Sequence, residues 1–286
     1  MKNKILSFVA IVLITTTLSS LRAQTEADST TIVSIQWEAT SIYDGIVQKC
    51  AAIPMLFNGP QYISILEISP SKGVKANIAI ADSMTQTSII AQSHNALAAI
   101  NGSYFNMKQG NSVCYLRTGA TVIDTTEVSE FKSRVTGAIY INKGKLYILP
   151  WSKQAEQKYN KKKGILLASG PLMLKNNKVC DWSGCEQSFI HTKHPRSAIA
   201  TTTDGKILLI TIDGRAPQYA QGMSIPELAY LIKLLGGNNA LNLDGGGSTT
   251  LWHAGQIVNH PCDNKIFDHK GERKVPNIIY FNINSI

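Results

Sequence analysis

Apolar and polar residues alternate in short stretches along most of the chain, so a period of two dominates. Tyr62 to Ser69, Val74 to Ile80, Gly137 to Ile141 and Lys145 to Leu149 read as strands, as do Ser197 to Thr202 and Lys206 to Ile212. Thr249 to His253, Gln256 to Asn259 and Asn277 to Asn282 continue the series. Three of these pairs flank Asn142-Lys143-Gly144, Asp204-Gly205 and Ala254-Gly255, where Asn, Asp and Gly suit tight reversals, so hairpins are predicted. Two stretches carry a helical period instead. Ser224 caps a helix with Pro226 in its first turn, Glu227 completing a capping box and Leu228, Leu231, Ile232 and Leu235 on one face. Gly236-Gly237 ends it. Thr85 to Asn95 is a weaker helix, with Ile89, Ile90 and Leu97 as its stripe.

Each helix runs into a short apolar segment, Ala96 to Ile100 or Ala240 to Leu243, and then a polar glycine turn. Asn-Ala-Leu occurs at Asn95 and again at Asn239, which leaves internal duplication as an option. Hairpins mixed with helix–strand units predict an α+β fold: a single domain with a mixed or antiparallel sheet and flanking helices, two lobes being an option. The cation-rich stretch from Lys153 to Lys163 reads as a solvated loop or exposed helix. Gln24 to Ser34 is polar and without period, and is expected to be a mobile leader. The expected division is residues 1–23 as a signal peptide, 24–61 as leader and start of the domain, and 62–286 as the domain proper.

The N-terminus changes how the charge is read. Lys2 and Lys4 precede an apolar run from Ile5 to Ile14, and small and polar residues follow up to Ala23, the order of a secretory signal peptide. The run falls short of the roughly 20 residues of a membrane-spanning helix, a retained anchor being the alternative. Cleavage near Ala23 would remove Lys2, Lys4 and Arg22 and no acid, lowering the formal charge of +9 by those three cations. The expected destination is secreted or periplasmic, with no integral membrane segment after processing. With 16% charged and 44% hydrophobic residues, the chain is neither a disordered polyelectrolyte nor a multi-span membrane protein. Its dispersed charge and lack of a recognised motif make nucleic acid the least supported partner. The five cysteines are an odd set without zinc-ligand spacing. Cys180 and Cys185 are close enough to clip a loop, and all five read as structural or inert.

Candidate chemistry concentrates in Leu241-Asn242-Leu243-Asp244-Gly245-Gly246-Gly247-Ser248-Thr249-Thr250. An acid at a strand end, three residues without Cβ and then hydroxyls allow backbone amides to nest an anion while side chains bind sugar or phosphate oxygens. Asp213 ends a second apolar strand inside Asp213-Gly214-Arg215. Glycosidic cleavage needs a proton donor and a base or nucleophile, so Asp244 and Asp213 form the minimum acid pair. Arg196, just before a strand, offers a planar fork suited to phosphate. Asn101 and Ser103 are candidates for sugar hydroxyls, with Tyr104 or Phe105 as a stacking face; His194 reads as a turn residue and His191 is uninformative.

Asn101-Gly102-Ser103-Tyr104-Phe105, Ser169-Gly170-Pro171, His194-Pro195-Arg196-Ser197-Ala198-Ile199, Asp213-Gly214-Arg215, Leu241 to Ser248 and Arg273-Lys274-Val275-Pro276-Asn277 occur in the order seen in the phosphodiester glycosidase family, which the chain resembles from about Tyr62 to Phe281. The resemblance implies hydrolysis of a sugar 1-phosphodiester to free sugar and a phosphomonoester, in the manner of a phosphodiester alpha-N-acetylglucosaminidase. It implies Asp244 and Asp213 as the acidic centre, Arg196 as phosphate clamp, and Asn101, Ser103, Gly170, Arg215, Gly245, Gly246, Gly247, Ser248, Thr249 and Arg273 as substrate contacts. Ser197 and Tyr104 stand where many members have Thr and Phe, and the extra cysteine-rich modules of animal members are missing. A secreted, bacterial-style chain would therefore meet a phosphodiester-linked glycan or cell-envelope polysaccharide. No cofactor is required by this chemistry, although a divalent cation, calcium or magnesium, held by Asp244 and turn carbonyls is an option. Two other readings stay open: a glycan- or cell-wall-binding module without chemistry, and a metal-dependent phosphodiesterase.

Overall fold

The computed structural model describes residues 25–283, so the signal-like segment 1–23 lies outside the described residues. The fold is α+β and dominated by three sheets whose strand pairings are all antiparallel. The largest has eight strands in the spatial order Glu38–Tyr43, Ile46–Ile53, Gln61–Ile68, Ile207–Ile212, Arg196–Thr202, Gly237–Asn242, Leu172–Lys175 and Lys178–Val179. A five-stranded sheet is built around Ile165–Ser169 and the hairpin Gly137–Asn142/Lys145–Pro150. Another is built around Ala98–Asn101 and Lys274–Ile283.

The strand Ile207–Ile212 is buried on both faces, which explains its unbroken apolar run. Ile207 and Leu209 join a core shared with Ile100, Leu116, Ile139 and Phe281 of the smaller sheets. Leu208, Ile210 and Ile212 face the opposite way, onto Ile225, Leu228 and Ile232 of the helix Ile225–Leu234. The large sheet is thus sandwiched between helices and the two smaller sheets. The Ser224 capping box forms as read: the Ser224 N–H donates to Glu227 Oε2 at 2.8 Å, and the Glu227 N–H to Ser224 Oγ at 3.4 Å.

Three expectations need correction. The leader is ordered from Thr25: a helix, Glu26–Val33, is capped by Thr25 and Asp28, docks the Ser29 hydroxyl on the Tyr230 hydroxyl at 3.0 Å and buries Ile32. Its Asp28 also accepts the Phe57 N–H at 2.8 Å, fastening the loop beyond the next hairpin. The strand Glu38–Tyr43 that follows is an exposed edge with no alternation of burial, and so carries no strand signal in the sequence. The second helix is only Thr87–Ser93, because the preceding strand runs from Val74 to Gln86, paired with Lys274–Ile283. Cys180 and Cys185 are free thiols, so the loop clip is not formed; burial raises the pKa of all five cysteines, in keeping with inert side chains. Among the described residues no helix is long and apolar enough to cross a membrane.

Candidate active site

Antiparallel pairing brings the start of Arg196–Thr202, the end of Ile207–Ile212 and the end of Gly237–Asn242 to one end of the large sheet. The chain leaving Asn242 is gripped at once. The Leu243 N–H donates to the Ser197 carbonyl at 2.8 Å and the Asp244 N–H to the Gly102 carbonyl at 3.1 Å. The Asp244 carbonyl accepts from Asn101 Nδ2 at 2.7 Å. Asn101 is fully buried, and its Oδ1 takes the Ser197 hydroxyl at 2.6 Å and the Thr250 N–H at 3.1 Å. The two glycine turns that follow the two helix–strand units therefore meet, and Asn101 ties them.

Beyond Asp244 the triglycine turn folds on itself. The Gly245 N–H donates to Asp244 Oδ1 at 3.0 Å and the Gly246 N–H to the Pro195 carbonyl at 2.9 Å, while the Ser248 and Thr249 N–H groups donate to Gly245 and Gly246 carbonyls. With these amides committed, the turn is not the open anion nest expected from its composition. Its glycines instead permit close approach. A Cβ on Gly245 would lie 2.5 Å from the Pro195 carbonyl, and one on Gly247 would meet the Arg273 guanidinium at 2.5 Å. Gly246 adopts φ 63° beside the Arg215 guanidinium.

Above the turn is a cavity of ≈ 200 Å³ where Asp244 faces a set of cationic and aromatic groups, Arg134, Arg196, Arg215, His194, Tyr104 and Phe189. It adjoins a wider groove of ≈ 830 Å³ that shares Arg134, Phe189 and His194. Desolvation pushes the Asp244 carboxyl above its usual pKa, opposed by the Ser248 hydroxyl, the charges of Arg134 and Arg273 and the Gly245 N–H. Burial, with Arg196 and Arg215 nearby, lowers the pKa of His194 and favours its neutral form.

The three arginines that line the cavity differ in what they have left to offer. Arg134 binds Glu130 through Nε at 2.8 Å and Nη2 at 3.1 Å, and its guanidinium lies 3.8 Å from the Tyr104 ring centre. Arg196 is 2% exposed and donates through Nε to the Met223 carbonyl and through Nη2 to those of Phe189 and Thr192. Burial lowers its pKa to about 10. Only its Nη1 is uncommitted among the described residues, so the whole-fork phosphate clamp read from the sequence does not fit. Arg215 is exposed, and among the described residues the sole hydrogen bond of its guanidinium is a weak one to Cys262 Sγ at 3.9 Å. It is the arginine with its fork free.

Asp213 is placed apart from this cavity. It is 1% exposed, and its oxygens accept from Asn259 Nδ2 at 3.1 Å, the His260 N–H at 3.0 Å and His260 Nδ1 at 2.8 Å. An acid pair with Asp244 is therefore not assembled: Asp213 does not line the cavity, and its carboxyl is engaged by Asn259 and His260. Ser103 donates to the Ala168 carbonyl at 2.6 Å, and the Gly170 carbonyl accepts Tyr104 Oη at 2.5 Å and Asn242 Nδ2 at 2.9 Å. Asn101, Ser103 and Gly170 consequently shape the site from beneath instead of touching its contents. Ser248 and Thr249 are buried under the turn. Arg273 is held by Asp263 at 2.5 Å and reaches Asp244 through its field. Arg134 and Phe189 carry no sequence signal, and His194, expected as a turn residue, lines the cavity beside Pro195 and Arg196. Among the described residues no group of three or more His, Cys, Asp or Glu gathers as metal ligands. A lone carboxylate ringed by guanidiniums is also a poor seat for a divalent cation.

One carboxylate and three guanidiniums thus share a cavity at the end of the large antiparallel sheet. The chain belongs to the phosphodiester glycosidase family, whose model matches residues 94–282. It is 25% identical over 186 residues to human N-acetylglucosamine-1-phosphodiester alpha-N-acetylglucosaminidase, covering 60% of this chain and 35% of that protein. It is 36% identical over 74 residues to the SPbeta prophage-derived protein YomE of Bacillus subtilis, covering 26% of this chain and 11% of that one. The chain thus spans about a third or less of the length of these curated relatives. The catalytic domain of the zebrafish N-acetylglucosamine-1-phosphodiester alpha-N-acetylglucosaminidase, auto-inhibited by its pro-peptide, shares the fold with a TM-score of 0.65 at 17% identity, over 86% of this chain and 87% of that one. A hypothetical protein from Synechocystis does so with a TM-score of 0.67 at 17% identity, over 87% of this chain and 64% of that one.

Proposed function

We propose that this protein hydrolyses a sugar 1-phosphodiester at the glycosidic C–O bond, releasing free sugar and a phosphomonoester. The observation that carries this reading is the confinement of one carboxylate, Asp244, with Arg134, Arg196 and Arg215 in a single cavity. A phosphate leaving group departs with its charge spread over several oxygens, so guanidiniums that stabilise that charge take over much of the work a proton donor does for an ordinary glycoside. One acid then suffices. Water attacks the anomeric carbon and gives its proton to Asp244 as the C–O bond breaks, its electron pair passing to the phosphate oxygen. Arg215, with its fork free, holds the phosphate; Arg134 and the Arg196 Nη1 add positive field. Neutral His194 at the cavity wall is suited to a hydroxyl.

In this reading the protein is exported after cleavage near Ala23, and its substrate is a phosphodiester-linked glycan of a cell envelope. The test is incubation with N-acetylglucosamine-1-phosphomethyl ester or a uridine-diphosphate sugar, with and without chelator. With the reaction run in heavy-oxygen water, free sugar plus a phosphomonoester without solvent label, insensitive to chelator, is the expected outcome; label in the phosphomonoester would mark attack at phosphorus. Sugar phosphate would instead indicate P–O cleavage, and glycan binding without turnover would indicate a binding module.

A further inference from the structure

Asp213 is the one strongly marked acid that the catalytic cavity does not use. Burial raises its pKa, opposed by His260 and Asn259; in its carboxylate form it accepts from the Asn259 side-chain amide and the His260 main-chain N–H and holds the proton of the His260 ring on Nδ1. The His260 ring is held as firmly from its other sides. Phe267 stacks on it at 3.9 Å and 12°, His269 at 4.3 Å and 29°, and Tyr62 meets it edge-on at 4.7 Å. The Nε2 edge is left without a hydrogen-bond partner among the described residues. His260 lines a cavity of ≈ 400 Å³ together with Tyr62, Phe267, Tyr219, Gln218 and Pro60. Tyr219 stacks on Phe267 at 4.9 Å and 11° yet is 57% exposed, so Phe267 lies between Tyr219 and His260 and the edges of the three rings line one wall of the cavity.

We infer that this aromatic cavity is a second carbohydrate subsite, which takes an uncharged pyranose ring against the wall formed by Tyr62, Phe267 and Tyr219, with His260 Nε2 and Gln218 bonding its hydroxyls. An apolar wall carrying a few fixed polar groups suits a sugar, which has an apolar ring face and a hydroxyl rim. A buried carboxylate and three neighbouring rings orient one imidazole edge, preorganising an acceptor for a hydroxyl. The location supports the assignment. Asp213-Gly214-Arg215 forms a single turn whose first residue holds His260 and whose last lines the catalytic cavity, while Tyr219 lies four residues further on. A glycan engaged at Asp244 therefore has a second sugar site on the far side of that turn. This rests on the glycosidase reading only for the choice of probe.

The test is calorimetric titration of the full-length processed protein with N-acetylglucosamine di- and trisaccharides, alongside hydrolysis of the small phosphodiester by the same preparation. Binding should weaken about tenfold or more in Tyr219→Ala and in His260→Gln, the combined scale of a stacking contact and a hydrogen bond. Tyr219 is exposed, so its variant reports on binding even where His260→Gln fails to fold. Absence of oligosaccharide binding by the unaltered protein, or unchanged affinity in Tyr219→Ala, overturns the subsite. Loss of small-diester hydrolysis in His260→Gln with oligosaccharide affinity kept also overturns it, by moving the dyad into the chemistry. Oligosaccharide binding without any diester hydrolysis sinks the glycosidase reading and leaves the subsite standing.

Discussion

The side-chain amide of Asn101 donates to the main-chain carbonyl of Asp244 at 2.7 Å, joining two glycine turns that are far apart in the chain. The same side chain accepts the Ser197 hydroxyl and the Thr250 N–H. A residue whose type suggested sugar binding is instead the fastening that sets the height and direction of the reactive carboxylate. Asn101→Ala would leave buried donors on Ser197 and Thr250 unpaired and should cost at least about 2 kcal/mol, given about 1–3 kcal/mol for each unsatisfied group. Thermal or denaturant unfolding measures this, and an unchanged midpoint would refute the fastening role.

Asp244→Asn should lower kcat by at least about a hundredfold, the low end for removal of an acid/base group. The cavity holds no second carboxylate to take over. Near-normal turnover on the small phosphodiester would remove Asp244 from the chemistry.

Arg215 is exposed and, among the described residues, its guanidinium makes one weak hydrogen bond, so its loss should affect substrate far more than stability. Arg215→Ala is expected to raise KM about tenfold or more with little change in melting temperature, and Arg215→Lys to restore only part, since an ammonium cannot offer the two parallel donors of a guanidinium. Steady-state kinetics at low and high salt would show this, because an exposed ionic contact weakens on screening.

Burial raises the pKa of Asp244, and the proposed mechanism needs it ionised. Activity should therefore rise with pH along an acidic limb displaced above the ordinary carboxylate range. Removing positive charge at Arg273 withdraws one of the influences that lower this pKa, so Arg273→Gln should shift the limb further upward. A pH–kcat profile for both proteins checks the sign; a downward shift would contradict the electrostatics.

Gly245→Ala places a methyl group 2.5 Å from the Pro195 carbonyl, and backbone cannot step aside as a flexible side chain would. Activity should fall about tenfold or more, on the scale of catalytic loss from a displacement of about 1 Å. Gly184→Ala, where nothing lies within 4 Å of the added carbon, serves as the control. Equal activity in the two variants would show that the turn is slack.

Most strands, the hairpins and the capped helix could be read because their signals are local: alternation, turn residues and a capping box. The Glu26–Val33 helix was harder, since it buries only Ile32 and its capping box stands in a polar stretch. Within the site, Asp244 and its glycines stood out by type. Their partners did not. Arg134 arrives from the end of the short helix Val128–Ser133 with no motif around it, and its place is set by Glu130 and the Tyr104 ring. Arg196 and Asp213 showed the opposite problem. Their residue types advertised chemistry, whereas burial and hydrogen bonding spend the Asp213 carboxylate and most of the Arg196 fork on the fold.

The order of strands in the large sheet bears on how the chain is made. Gln61–Ile68 has Ile46–Ile53 as an early neighbour, but the strand on its other side, Ile207–Ile212, belongs to the last third of the sequence. During synthesis the early strands ending in Gln61–Ile68 therefore keep an open, strongly apolar edge until most of the chain has followed. Such an interval is slow on topological grounds and exposes the edge to foreign pairing. A holding chaperone, or passage across a membrane before folding begins, would spare the chain that exposure, and yield on expression should depend on which of these the host supplies.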